Sequence, residues 1–286
     1  MRFLSIIIAI ASSIIASATP PEGYTLVWED NFEGNMLNRN NWNVEINGTG
    51  CGNQELQYYV DNDTTVNVSE GNLEISALRS RYKHCDFISG RINTLGKVEF
   101  KYGIVEARIC LPKTANGLWP AFWMMGSDIR SIGWPRCGET DILEMGHSNG
   151  IKANASEHLF NGALHWGESN DCHRQTVGDC TNPYSLQDGD FHIWRVEWTE
   201  DSIKMYVDDC PTPYLDESID TTTDKFSYFH KPNFILINLA VGGMFPNILN
   251  PDGITALQGI NQATMKVDYV KVYQKTDSIN LTYNHL

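Results

Sequence analysis

The chain has 286 residues, and its 21 Lys and Arg against 35 Asp and Glu give a formal net charge of −14. That excess repels polyphosphates, so nucleic acid is excluded as a partner and a neutral or cationic substrate is expected. The length suits one large β domain or two small ones, and no linker, repeat or low-complexity stretch divides it, which favours one.

The N-terminus reads Met1-Arg2-Phe3-Leu4 and continues as a short apolar run, ending at Ala16-Ser17-Ala18. One basic residue, an apolar stretch and a small-x-small site predict a secretory signal peptide over 1–18, cleaved after Ala18. Ser12, Ser13 and Ser17 interrupt a run already short for a membrane span. Without Arg2 the charge becomes 20 − 35 = −15. The tail, 276–286, is short and polar, and Ile279 to Leu286 lacks the pattern of a lipid-anchor signal. A secreted protein with no membrane partner is expected.

Seven cysteines (Cys51, Cys85, Cys110, Cys137, Cys172, Cys180 and Cys210) show no C-x-x-C metal spacing. In a secreted chain disulfides are the expectation. Cys172 with Cys180 would close a short loop, Cys51 with Cys85 is a second pairing, and Cys137 is expected to be a buried free thiol. Five sequons, at Asn47, Asn62, Asn67, Asn154 and Asn280, could carry N-glycans.

Most of the remaining chain alternates with period two. Leu73, Ile75 and Ala77 form one apolar face, and Phe100, Tyr102 and Ile104 another. Ile203, Met205 and Val207 lie opposite Lys204, Tyr206 and Asp208. Phe234 to Val241 is nearly continuous apolar sequence, as in a strand buried on both faces, and Gly242-Gly243 ends it. Val267, Tyr269 and Tyr273 alternate with Asp268, Val270 and Val272. Long helical periodicity is absent. Many short strands with Gly, Pro and Asn turns predict an all-β sandwich or barrel.

Three carboxylates, Glu139, Asp141 and Glu144, stand within six residues. A helix would point them apart. A strand puts Glu139 and Asp141 on one face, and one extra residue near Ile142 or Leu143, a β-bulge, would return Glu144 to it. Inward-leaning carboxyls about 5–5.5 Å apart suit a retaining glycosidase, in which one attacks and the other donates a proton. Asp141 between them would help hold a neighbour protonated near neutral pH. A solvated acidic strand face is the plainer alternative, but crowded like charges cost stability unless something requires them.

Aromatic residues surround this segment: Trp119, Phe122 and Trp123 before it, Trp134 at its start and His165-Trp166 after it. Several indoles lining a cleft would bind the flat apolar faces of sugars. His165 could donate to Glu139 or to the sugar. The eight histidines form no H-x-x-x-H set, and no G-x-S-x-G or P-loop occurs.

Glu139-Thr140-Asp141-Ile142-Leu143-Glu144 resembles the E-x-D-x-x-E signature of glycoside hydrolase family 16, and the chain looks most like its laminarinase-type endo-β-1,3-glucanases. Gly52 to Tyr59, Ser89 to Ile92, Tyr102-Gly103, Gly117 to Met125, Asn238 to Gly243 and Asp268 to Tyr273 are similar to further family segments, so the resemblance runs from about Val27 to Gln274. It implies a catalytic domain over 19–275, folded as a concave β-jelly-roll sandwich of two antiparallel sheets. It implies Glu139 as nucleophile, Glu144 as acid/base and Asp141 as their assistant. Trp119, Trp123 and Trp134 would stack on or position sugars, Asn53, Glu55 and Arg91 would bond sugar hydroxyls, and His165 would sit near the nucleophile. The implied partner is a β-1,3-glucan polysaccharide, met by a monomer, with no cofactor in catalysis. A structural calcium on Asp268, Gly71 and Glu33 is a further implication. Two activities remain beside hydrolysis: β-glucan transglycosylation and non-catalytic β-glucan binding. Cys110 and Cys210 stand outside the family pattern and suggest an extra bridge.

Overall fold

The computed structural model describes residues 20–283, so the expected signal peptide and its cleavage site lie outside the described residues. Seven strands form the sheet that carries the acidic segment: β1 (Asn43–Val44), β2 (Arg91–Asn93), β3 (Leu118–Gly126), β4 (Glu139–Met145), β5 (Leu159–Trp166), β6 (Arg174–Thr181) and β7 (Asn233–Val241). They run in the order β6-β5-β4-β3-β7-β2-β1, every neighbour antiparallel.

A ten-stranded sheet lies behind. Its longest member, Gln262–Lys275, pairs with Gly103–Cys110, Asn72–Leu78 and Tyr24–Asp30. The inner faces of the two sheets share one core. Leu73, Ile75 and Ala77 from the back sheet and Ile235, Ile237 and Leu239 from β7 all belong to it and are fully buried. Ile203, Met205 and Val207 enter it as their alternation predicts. β7 is buried along all nine residues, because its second face lies under further apolar cover. There Phe234 and Leu236 join Ala121, Trp123, Met125 and Cys137 in a smaller cluster. The result is the stacked all-β sandwich that the alternation called for.

Two expectations need correction. The strand expected to include Phe100 and Tyr102 starts only at Gly103. Gly103 has φ +151°, and a Cβ there would meet the Tyr273 carbonyl at 2.5 Å, so the chain bends where only glycine fits. Phe100 instead forms a single bridge to Asn233.

The second correction concerns the cysteines, all seven of which are free. Cys180 pairs opposite Phe160 near one end of β6, while Arg174, next but one to Cys172, pairs opposite Trp166 at the other. Six residues of extended strand separate these ends by about 20 Å, well beyond the ~7 Å that a disulfide tolerates. The Cys110 and Cys210 thiols donate to the carbonyls of Gly189 and Thr212 and are not bridged. Cys51 takes a hydrogen bond from Asn47, and Cys85 faces the Gly48 carbonyl, so that pairing is not made either. Cys137 is fully buried, and burial pushes its thiol up to about 12.

Described helices are no longer than six residues, and none is long and apolar enough to cross a membrane.

Candidate active site

The bulge is present in β4. Trp123 pairs with Asp141 and Phe122 with Leu143, which leaves Ile142 as the extra residue, and the β5 register slips at the same place. Ile142 and Leu143 are both fully buried and both join the inter-sheet core. Two successive apolar side chains are thus accommodated in the core, and the carboxylate of Glu144 returns to the face that holds Glu139 and Asp141. The Tyr214 hydroxyl donates to the Ile142 carbonyl and helps satisfy the bulged backbone.

Strand pairing brings His165 opposite Glu139. Ligand-type atoms of Glu139, Asp141 and His165 all lie within 4.8 Å of one another. His165 Nε2 stands 3.2 Å from Asp141 Oδ2. Asp141 Oδ2 is buried and has no hydrogen-bond partner. Each Glu receives one indole: Trp134 Nε1 donates to Glu139 Oε2 at 2.8 Å, and Trp119 Nε1 to Glu144 Oε1 at 3.0 Å.

Burial raises all three carboxyls. Burial and the Asp141 charge lift Glu139 to about 8, against the opposing pull of His165, the Trp134 N–H and Arg91. Glu144 is driven well above its ordinary value, by burial first and by Asp141 second. Glu139 has the stronger cationic support, so it loses a proton more readily, and Glu144 is the better place to keep one. One ionised and one protonated Glu on a shared face is the state that double displacement requires.

The other residues expected to meet sugar are arranged less simply. Trp119 has one ring face stacked on Phe245 at 4.7 Å and 10°. Trp123 donates to Asn238 at 2.8 Å and has the Arg91 guanidinium over its ring at 4.8 Å. Both indoles are under 10% exposed, whereas Trp134 is 39% exposed and is the one with an open face. Arg91 is anchored by Glu45, 3.0 Å away. Glu55 accepts from Gln57 at 2.6 Å and Tyr59 at 3.1 Å, and Asn53 bonds it too. Asn53 is exposed, and its carbonyl accepts from the Met244 N–H, which ties its loop to the segment after Gly242-Gly243.

Three neighbours escaped the sequence reading. Asn238 was visible as the single polar residue within the apolar run of β7. Phe245 follows a Gly-Gly turn with no periodic signal. His173 sits in a polar hairpin and reaches His165 only through the β5–β6 fold-back.

Of the residues expected to hold calcium, Asp268 is already engaged by an arginine. The Asp268 carboxylate is paired with Arg108 Nη1 at 2.6 Å, and Glu33 is exposed. Gly71 lies in a turn at φ +72°. A guanidinium already supplies the positive charge at Asp268.

A sequence model described as glycosyl hydrolases family 16 matches residues 43–271. Glucan endo-1,3-β-glucosidase A1 of Niallia circulans is 33% identical over 288 residues, which cover 91% of this chain but only 40% of that protein. Glucan endo-1,3-β-glucosidase of Cryptopygus antarcticus is 34% identical over 261 residues, 87% of this chain and 91% of the relative. Among solved structures, a Bacteroides ovatus mixed-linkage-glucan GH16 protein in complex with G4G4G3G product superposes with a TM-score of 0.78 at 38% identity, covering 86% of this chain and 100% of that one.

Proposed function

The chain belongs to glycosyl hydrolase family 16, and we propose that it is a secreted, monomeric, retaining endo-hydrolase of β-1,3-glucan. The observation that carries this reading is the single bulge at Ile142, which gathers Glu139, Asp141 and Glu144 on one face beside His165. The relatives named as endo-1,3-β-glucosidases support the linkage.

Glu144 enters the reaction protonated and donates to the glycosidic oxygen. Glu139 attacks the anomeric carbon through an oxocarbenium-like state and forms a covalent glycosyl-enzyme. Glu144, now a base, takes a proton from water, which attacks the same carbon and restores the β configuration. Asp141 and His165 hold the charge balance around Glu139. The chemistry needs no organic cofactor.

Cleavage of mixed-linkage β-1,3-1,4-glucan is the second reading, favoured by the likeness to the Bacteroides ovatus product complex. One experiment separates them. The purified protein is incubated with unbranched β-1,3-glucan, barley mixed-linkage glucan and agarose, the products are sized, and their anomeric form is followed by NMR. Short β-anomeric oligosaccharides released fastest from the first substrate support the proposal. Faster release from barley glucan supports the second reading. Products longer than the substrate indicate transglycosylation, and polymer bound but uncut indicates a glucan-binding protein.

A further inference from the structure

Outside the three carboxylates lies a second histidine with no part in the mechanism above. His165 Nδ1 is 2.9 Å from His173 Nε2. The two rings are nearly parallel, 5.1 Å apart at 17°. Trp134 closes over the pair, 4.8 Å from His173 and 6.4 Å from His165. The hairpin that delivers His173 depends on Gly167, where φ is +144° and a Cβ would meet the Cys172 carbonyl at 2.4 Å and the His173 Cα at 3.1 Å.

We propose that His173 is a positioning residue whose Nε2 accepts a hydrogen bond from His165 Nδ1–H, fixing that ring so that its Nε2 faces Asp141 beside Glu139. This deepens the hydrolase reading and rests on it.

The buried Asp141 Oδ2 has His165 Nε2 3.2 Å away and no hydrogen-bond partner. What it meets there is set by how the His165 ring is held. With Nε2 turned to Asp141, the Nδ1 N–H of that ring needs an acceptor of its own. His173 Nε2 is at hydrogen-bond distance and can accept when its own proton is on Nδ1. Burial and the nearby His165 both lower His173, which keeps it a neutral acceptor. The groups that face this pair are Glu139, Asp141 and Glu144 on β4, with Arg91 of β2 acting on Glu139 from farther across the floor. Arg174 beside His173 is taken up by Asp224, and Glu168 by Tyr228.

The test uses the full chain with three forms: wild type, His173→Phe and His173→Gln. Phe keeps the ring packing under Trp134 and removes the acceptor. Gln restores an amide near the Nε2 position. Loss of that hydrogen bond in His173→Phe should lower kcat about tenfold near pH 6 with KM little changed. The acidic limb of kcat/KM against pH should move upward, and His173→Gln should recover most of both. A second readout is independent of turnover: ¹⁵N imidazole spectra of wild type should show His165 Nδ1 as a hydrogen-bonded N–H, and His173→Phe should lose that signature. Superimposable pH profiles of wild type and His173→Phe, or an unchanged His165 Nδ1 signal, overturn the proposal. A wild type that cleaves no glucan overturns the hydrolase reading instead, and the imidazole spectra still decide the His165–His173 pairing.

Discussion

The Trp134 indole nitrogen lies 2.8 Å from Oε2 of Glu139, so this ring, expected to bind sugar, also holds the carboxylate proposed as the nucleophile. The same indole covers the His165–His173 pair and keeps an open face. Trp134→Phe leaves an aromatic surface but removes the donor. Hydrogen bonds to charged groups contribute about 1.5–3 kcal/mol, so kcat should fall about tenfold or more while polymer binding changes little. Parallel measurement of kcat and of retention on immobilised glucan checks this, and lost retention with kcat unchanged would assign Trp134 to binding alone.

Glu139→Gln and Glu144→Gln should each reduce hydrolysis by at least about 10³-fold while circular dichroism stays that of the wild type. Azide sorts the two roles with an activated β-glycoside. In Glu139→Ala it replaces the nucleophile and yields an α-glycosyl azide. In Glu144→Ala it attacks the covalent intermediate and yields a β-glycosyl azide. The reverse stereochemistry would exchange the assignments.

The cluster also predicts a pH-dependent cost in stability. Glu139 is raised from 4.5 to about 8 in the folded chain, which therefore binds the extra proton more tightly than the unfolded chain does. By linkage this stabilisation is complete below about pH 4.5 and is lost as pH rises through about 8. Glu139→Gln cannot ionise, so it should unfold in more urea than wild type at pH 8.5 and show little advantage at pH 4. The difference should reach about 2–4 kcal/mol, since Asp141 and Glu144 share the same protons. Identical wild-type and variant slopes with pH would mean that Glu139 is not raised.

The thiols give a simpler expectation. Cys172 and Cys180 stand at opposite ends of β6, so no bridge joins them without pulling the edge strand off β5. Peptide mapping under non-reducing conditions should find no 172–180 linkage. Cys172→Ser should leave Tm within about 1 °C of wild type, as for an exposed residue with no bond to lose.

Much of this was legible from residue order alone. Period-two alternation at Leu73–Ala77 and Ile203–Val207 marked core-facing strands, because a strand sends successive side chains to opposite faces. The continuous apolar run of β7 marked a doubly covered strand. The odd offset of Glu144 itself required a bulge, since no regular strand or helix puts all three acids together. Phe100 and Tyr102 misled because alternation does not reveal where a close backbone approach, here Gly103 against Tyr273, breaks the strand. The 172–180 pairing misled because a short sequence separation resembles a loop until strand pairing stretches it.

The sequence by itself therefore determined the sandwich class, the acidic strand, its bulge and the indoles around it, all properties of neighbours along one chain. Tertiary structure alone decided the rest. It put His165 opposite Glu139, set Trp134 and Trp119 on different carboxylates, stacked His173 on His165, and paired Arg108 with Asp268. These contacts cross strands and hairpins whose registers are set by core packing, and no local pattern encodes which side chains meet across them.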